Sequence, residues 1–183
     1  MSTLALVPVH WGIRDRDILA ADQSRRLGLA MVGLDPHIEP LYDDYDYART
    51  LFTYAHSCDQ LLIVEHDIRP GPWTIGPMLS CRHEACSTPY DCGTLEQPVI
   101  SALRYLPGTR QVVRAEEGDE WAEAMSGLGC VKYAGRALAA IRTYLSATLP
   151  SWNRLDGGIS NALRSAGIAH HLHWPKVEHR RYT

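Results

Sequence analysis

Short apolar runs alternate with amphipathic segments over the first seventy residues, and this alternation limits the possible folds more than any other feature of the sequence. The runs at 3–9, 28–35 and 61–64 predict strands, and the segments 16–27 and 46–57 predict helices. Strands that alternate with helices are typical of α/β proteins, and continuous apolar strands fit burial on both faces. We therefore expect an α/β fold with a mainly parallel central sheet flanked by helices.

The rest of the chain has a less regular pattern. The predicted elements are a loop at 36–40, loop or short strands at 81–97, a strand or helix at 98–106, a strand at 127–133 and helices at 136–149 and 155–167. No internal repeat or linker divides the 183 residues, so a single domain spanning 1–183 is expected.

Composition and charge narrow the class of protein. The chain is 45% hydrophobic with a formal net charge of −3, which gives no overall attraction to nucleic acid. Local basic clusters that could still contact DNA are Arg14, Arg16, Arg25 and Arg26, and Lys176, Arg180 and Arg181. No apolar run approaches the roughly 18–20 residues that span a bilayer. Five cysteines and no signal-peptide pattern favour a reducing, cytoplasmic setting.

Acidic side chains follow the third apolar run directly. In an extended chain, alternation would place Glu65 and Asp67 on one side and His66 on the other. Ligands of parallel sheets bind beyond the carboxyl ends of the strands. The same predicted edge would carry Val9, His10, Trp11 and Asp35. Two converging carboxylates suit Mg²⁺ or Mn²⁺, and a polar loop with both acids in water is the alternative.

Asp156 has two interpretations from sequence alone. It sits where the helix at 155–167 is expected to begin, so its carboxylate could cap free N–H groups there. It could instead serve as a general base in a cleft, with Trp152 as an apolar wall beside it.

Histidine and cysteine cluster in two segments. The C-terminal segment carries His170, His171, His173 and His179, and His171 and His173 share a face if the chain there is extended. Imidazole binds Mn²⁺ and Zn²⁺, and a histidine-rich surface tail is the alternative. The second segment carries Cys81, His83, Cys86 and Cys92. Their spacing is not a standard zinc pattern, so free or core cysteines compete with a zinc site.

In combination these motifs resemble the GT-A class of nucleotide-sugar glycosyltransferases, in particular its small bacterial and phage-type members. "LVPVHWG" resembles the first strand and the loop that receives the nucleotide. "IVEHDI" resembles the Asp-x-Asp element, with Glu65 in place of the first Asp. "WNRLDGGI" resembles the acidic helix start that carries the base, and "HLHWP" with "EH" resembles the C-terminal histidine of the metal site. "GLGCVKY" resembles a strand that lines the sugar pocket.

The resemblance implies a minimal, Rossmann-like GT-A fold, with a nucleotide-binding half at 1–70 and an acceptor-binding, metal-closing half at 71–183. It implies a divalent cation, Mn²⁺ or Mg²⁺, and a nucleotide-sugar donor, with a UDP-sugar as the class-level expectation. The implied metal ligands are Asp67, Glu65, His179 and His173, and the implied base is Asp156. The implied donor contacts are Val9, His10, Trp11, Arg14, Asp35, Glu65 and His66.

The function implied is a metal-dependent, inverting glycosyltransferase. Its acceptor hydroxyl would lie on a modified DNA base, a phage or virion protein, or a surface glycan. One alternative is a metal-dependent hydrolase or nuclease that uses the same acids and histidines. Another is a non-enzymatic binding protein stapled by zinc at the Cys/His segment.

Overall fold

The computed structural model describes residues 2–10, 28–70, 73–93, 98–174 and 177–179. The strands are β1 (Thr3–His10), β2 (Pro36–Leu41), β3 (Gln60–Val64), β4 (Ile68–Arg69), β5 (Ala85–Ser87), β6 (Asp91–Gly93), β7 (Pro98–Ile100), β8 (Ala102–Tyr105), β9 (Val112–Arg114), β10 (Trp121–Ala122), β11 (Met125–Ser126), β12 (Cys130–Ala134), β13 (His170–Leu172) and β14 (Glu178–His179). The helices are α1 (Asp46–Ser57), α2 (Ile75–Ser80), α3 (Gly135–Ala147) and α4 (Trp152–Ser165). Among these described residues, no helix combines the length and the apolar character needed to cross a membrane.

A seven-stranded sheet organises the molecule, with the strand order β10-β13-β5-β12-β3-β1-β2. β1 is parallel to both β2 and β3, and β13 is parallel to β5. β12 is antiparallel to β3 and β5, and β10 is antiparallel to β13. Five of the seven strands therefore run in one direction. This confirms the predicted α/β class with a mainly parallel central sheet flanked by helices.

The core forms on both faces of β3, whose five residues are all buried. Leu61 and Ile63 pack on one face with the apolar sides of α1, α3 and α4. Leu62 and Val64 pack on the other face with residues that include Leu29, Ile75 and Met78. Alternate side chains of a strand point to opposite faces, so an unbroken apolar run is needed for a strand covered on both sides.

The second predicted strand, at 28–35, is wrong. Residues 28–30 are helical, and the Leu34 N–H donates to the Leu29 carbonyl at 3.0 Å around Gly33, whose φ is 72°. This is a Schellman helix end, in which glycine adopts the left-handed conformation at little cost. The strand is β2, at the place where the prolines of 36–40 predicted a loop. β2 lies at the edge of the sheet, where strands tolerate proline.

Most other predicted elements agree with the structure. The helix expected at 46–57 is α1, the strand at 61–64 is β3, and the helix at 136–149 is α3. The strand expected at 127–133 begins later, as β12. The ambiguous segments form the short strands β5 to β8, and the helix expected at 16–27 lies outside the described residues.

Candidate active site at the carboxyl edge of the sheet

The acidic motif after β3 forms a turn. The Ile68 N–H donates to the Glu65 carbonyl at 3.0 Å, and the Glu65 N–H donates to the Gly129 carbonyl at 2.8 Å. The extended alternation expected for Glu65, His66 and Asp67 is therefore wrong, because β3 ends one residue earlier. A turn keeps both acids close to the carboxyl end of β3, and this end faces the ligand in sheets of this kind.

The end of β1 lies beside this turn. His66 Nδ1 is 3.2 Å from the Pro8 carbonyl oxygen, and Val9 follows on the same strand with partial exposure. Since β1 and β3 are parallel, their carboxyl ends meet at one edge, as the sequence predicts. Outside the described residues lie the side chain of His10 and the whole of Trp11 and Arg14.

Asp35 lies at the opposite edge of the sheet. It precedes β2, whose first residue, Pro36, pairs with Ala5 near the amino end of β1. The expected position of Asp35 beside Glu65 depended on a strand at 28–35 and is wrong, because the strand begins where that run ends. Asp35 is exposed at this amino edge, away from the acidic turn.

Asp156 lies inside α4 and not at its start. The helix begins at Trp152 after the N-cap residue Ser151, so Asp156 belongs to the second turn and the capping interpretation is wrong. Its carboxylate accepts a hydrogen bond from the Leu128 backbone N–H, in the loop before β12. The side chain therefore points towards the sheet. Trp152, one turn earlier, is 49% exposed.

The three acids share a poorly solvated environment. Burial raises the pKa of Asp156 to about 6. Burial also raises the pKa of Glu65 well above its usual range, and the charges of Asp156 and Asp67 add to this rise. The nearby Tyr47 hydroxyl partly offsets this increase in the pKa of Glu65, although the two groups do not form a hydrogen bond of normal geometry. The pKa of Tyr90 is raised by burial and then by Glu65 and Asp156. These mutual effects place the acids close enough to repel one another.

Tyr47 and Tyr90 line this environment and were not predicted from sequence. Tyr90 fits because residues 127 and 129 are glycines. A Cβ on Gly129 would lie 2.6 Å from Tyr90 Cε1 and 2.9 Å from Ile68 Cδ1, and one on Gly127 would collide with the Tyr90 hydroxyl. The "GLG" at the start of the strand predicted at 127–133 is the available signal, because glycine in a strand marks places where another group approaches the backbone closely.

The C-terminal segment returns to the acidic turn. β14 pairs with β4 in antiparallel fashion, and this register sets His179 opposite Ile68, the residue after Asp67. The backbone thus brings position 179 to the expected edge, and the side chain of His179 is not among the described ones.

His173 belongs to a different group. Its Nε2 lies 3.4 Å from His171 Nδ1, so the two histidines share a face as predicted. Burial, and then His171, lower the pKa of His173 to about 4, which keeps the ring neutral near pH 7. Within the described residues, the only set of three or more clustered metal-ligand atoms is that of Cys81, Cys86, His171 and His173. The candidate zinc set from sequence shares Cys81 and Cys86 with this group but also contained His83 and Cys92, which are not part of it. Cys92 Sγ donates to the Val99 carbonyl at 3.0 Å.

Comparisons with known proteins bear on the fold. No protein-family model matches the sequence, and no curated protein matches it significantly. One similar solved structure is a glycosyltransferase involved in glycosylation of the major capsid of PBCV-1, at 10% identity and a TM-score of 0.45, covering 84% of this chain and 74% of that one. Another is described as a glucose-1-phosphate thymidylyltransferase from Bacillus anthracis in complex with sucrose, at 8% identity and a TM-score of 0.50, covering 96% and 88%. The second likeness shows a shared architecture.

Proposed function

We propose that this chain is a metal-dependent, inverting glycosyltransferase that moves a sugar from a nucleotide-sugar donor to an acceptor hydroxyl. One observation carries the proposal. Asp156, whose pKa is about 6, shares a poorly solvated environment with Glu65 and Asp67 at the carboxyl edge of a mainly parallel sheet. Ligands of such sheets bind at this edge, and perturbed acids cluster at catalytic sites.

Asp67 and Glu65 are the proposed ligands of Mn²⁺ or Mg²⁺. Carboxylate oxygens are the donors these ions prefer. Burial, and then the charges of Asp156 and Asp67, raise the pKa of Glu65, and a bound cation would favour its ionised form. His179 is the proposed third ligand, because β14 brings its backbone opposite Ile68. His173 is not a proposed ligand of this ion, because its side chain lies with those of Cys81 and Cys86. When bound, the ion supplies positive charge that stabilises the departing diphosphate.

The donor is proposed to occupy the edge formed by the end of β1 and the turn after β3. Val9, His10 and Trp11 would contact the base and ribose, and Arg14 would contact the diphosphate. His66, held against the Pro8 carbonyl, would line the same place. A UDP-sugar is the proposed donor class, and Asp35 is excluded because it lies at the opposite edge.

Asp156 is the proposed general base. Its carboxylate accepts the proton of the acceptor hydroxyl while that oxygen bonds to the anomeric carbon from the side opposite the phosphate. The bond between the anomeric carbon and the phosphate oxygen breaks, and its electron pair leaves with the nucleoside diphosphate. A pKa of about 6 suits this role, because the group is mostly ionised near pH 7 yet remains a better base than an ordinary Asp.

An assay of nucleoside diphosphate release from a panel of nucleotide sugars, with and without Mn²⁺, tests the proposal. We expect slow, Mn²⁺-dependent release from at least one donor even when water is the acceptor. Asp67→Ala should abolish the release, whereas Glu117→Ala, which changes an exposed acid in a loop, should leave it unchanged. Cleavage of phosphodiesters without release from any nucleotide sugar would favour the hydrolase or nuclease alternative and contradict the proposal.

A further inference from the structure

Four donor atoms gather on elements separate from the acidic turn. They belong to Cys81, Cys86, His171 and His173, and all four atoms lie within 4.8 Å of one another. We propose that this Cys/His group binds one Zn²⁺ ion as a structural site with tetrahedral coordination. The site is additional to the proposed sugar transfer and does not depend on it.

Two of the six distances within the Cys/His group match tetrahedral zinc, and the other pairs of ligand atoms lie within 4.8 Å. With Zn–N near 2.0–2.1 Å and Zn–S near 2.3 Å, two nitrogens are separated by about 3.3–3.4 Å and a nitrogen and a sulfur by about 3.5–3.6 Å. The His171 Nδ1–His173 Nε2 distance is 3.4 Å, and the Cys81 Sγ–His171 Nδ1 distance is 3.6 Å. These two distances already equal those expected between the corresponding ligand atoms of a bound zinc ion.

The fold itself holds the four donors in place. β5 and β13 are parallel, and Cys86 and His171 are direct register partners on them. The His173 N–H donates to the Ser87 carbonyl at 2.9 Å, which fixes the residue just after β13. Cys81 follows α2, and its N–H donates to a carbonyl of that helix at 3.3 Å. The donors therefore come from three backbone segments with ordered hydrogen bonds.

A shell of neighbours supports the Cys/His group. Lys132 is 1% exposed, and its ammonium donates to the Cys81 carbonyl at 2.9 Å and to the His83 carbonyl at 2.5 Å. These two bonds hold the backbone in place at Cys81 and His83, directly beside the Cys/His group. The His83 ring stacks on His171 at 4.5 Å, and Trp121 meets the same ring edge-on at 5.1 Å. These ring contacts restrict the orientation of the His171 imidazole.

Zinc is the ion that this donor set selects, because two sulfurs and two nitrogens in tetrahedral arrangement suit Zn²⁺. Four protein ligands leave no open position, as in structural rather than catalytic zinc sites. A zinc ion would strengthen a part of the sheet where the strand pairings are short. β13 pairs with β5 over two residues and with β10 over two residues, so few backbone hydrogen bonds hold this side of the sheet. A zinc ion would join segments about ninety residues apart in the chain.

Metal analysis of the full-length protein, purified without chelator, is the first test. We expect one zinc per chain, and removal with a strong chelator should lower Tm by about 10 °C or more. Adding Zn²⁺ back should restore Tm. Replacement by Co²⁺ should give the visible bands of tetrahedral cobalt together with sulfur-to-cobalt charge-transfer bands in the near ultraviolet.

Variants test the ligand assignment. Cys86→Ser should reduce the bound zinc and weaken the sulfur-to-cobalt charge-transfer bands of the Co²⁺ form. His173→Ala should also reduce the bound zinc, and it should weaken the visible bands of tetrahedral cobalt. Cys58→Ser is the matched control, since this half-buried thiol donates to the Tyr54 carbonyl at the end of α1. It should keep one zinc per chain, and so should His83→Ala, because His83 packs on a ligand without being one.

Two results would overturn the inference. The first is a purified protein that contains no zinc, does not take up Zn²⁺ or Co²⁺ after reduction, and has a Tm that chelators leave unchanged. The second is full zinc content in both Cys86→Ser and His173→Ala. Because the wild-type chelation experiment needs no substitution, poor folding of a variant does not remove the test.

Discussion

The ionised carboxylate of Asp156 is needed for the proposed chemistry but lowers the stability of the folded protein. Its pKa is raised from 3.8 to about 6, so between these values the folded state binds the proton more tightly than the unfolded state does. The free energy of unfolding contributed by this group therefore falls as pH rises through that window. Near neutral pH the ionised carboxylate costs roughly 1–3 kcal/mol of stability.

Replacing this carboxylate should stabilise the protein. We expect Asp156→Asn to raise the free energy of unfolding at pH 7.5 by roughly 1–3 kcal/mol in urea denaturation, because the amide oxygen can still accept from Leu128. The same variant should lose sugar transfer. Asp43→Asn is the control, since Arg49 lowers the pKa of that exposed acid and no gain is expected. A less stable Asp156→Asn protein would contradict this account.

The pH dependence of transfer follows from the same group. The proposed base must be ionised to accept a proton, so the rate at saturating donor should rise with pH through about 6 and then level off. A pH-rate profile in buffers of constant ionic strength measures this. A rate that stays constant or falls between pH 5 and 7 would show that Asp156 is not the base.

At the scale of the elements, sequence patterns predict well where burial and periodicity agree. β3 and α1 were predicted closely because a short apolar run and a strong helical spacing each have one favourable solution. β2 was missed because proline argues against strands in general, whereas an edge strand accepts it. The start of α4 was misplaced because an acid suggested a cap, and Ser151 holds that position.

The Gly-Leu-Gly segment before β12 packs closely against Tyr90, so a larger residue there should destabilise the protein. Gly129→Ala should lower the free energy of unfolding by about 2–4 kcal/mol, because its Cβ would meet the Tyr90 ring and the Ile68 side chain. Gly157→Ala is the matched control. It lies in α4 with nothing within 4 Å of the added Cβ and should stabilise by about 0.5–1 kcal/mol. Equal effects of the two changes in urea denaturation would contradict this packing.

For the molecule as a whole, the two proposed sites differ in how visible they are in the sequence. Asp67 and Glu65 follow one strand, so a local pattern locates them. The Cys/His group depends on β5 and β13 lying side by side, with partners such as Cys81 and His171 ninety residues apart. No local pattern specifies that register. For this reason the sequence groups Cys81 and Cys86 with His83 and Cys92, whereas the fold places the ligand atoms of Cys81 and Cys86 beside those of His171 and His173.

The two sites are connected through the backbone. The chain leaving β5 reaches Pro89 and Tyr90, and the chain leaving β13 reaches Val177, whose N–H donates to the Pro89 carbonyl at 2.8 Å. Tyr90 and Val177 also form a parallel bridge. The segment that carries His179 towards the acidic turn is therefore held against the residue that packs beside the acids.

The acidic turn is proposed to bind a nucleoside diphosphate together with a divalent cation. Isothermal titration calorimetry of UDP and other nucleoside diphosphates, each with and without Mn²⁺, measures this directly. We predict that at least one binds only when Mn²⁺ is present, and that Asp67→Ala loses this binding while its Tm stays close to that of the parent protein. If no nucleoside diphosphate shows metal-dependent binding, or if Asp67→Ala binds as the parent does, the claim is wrong.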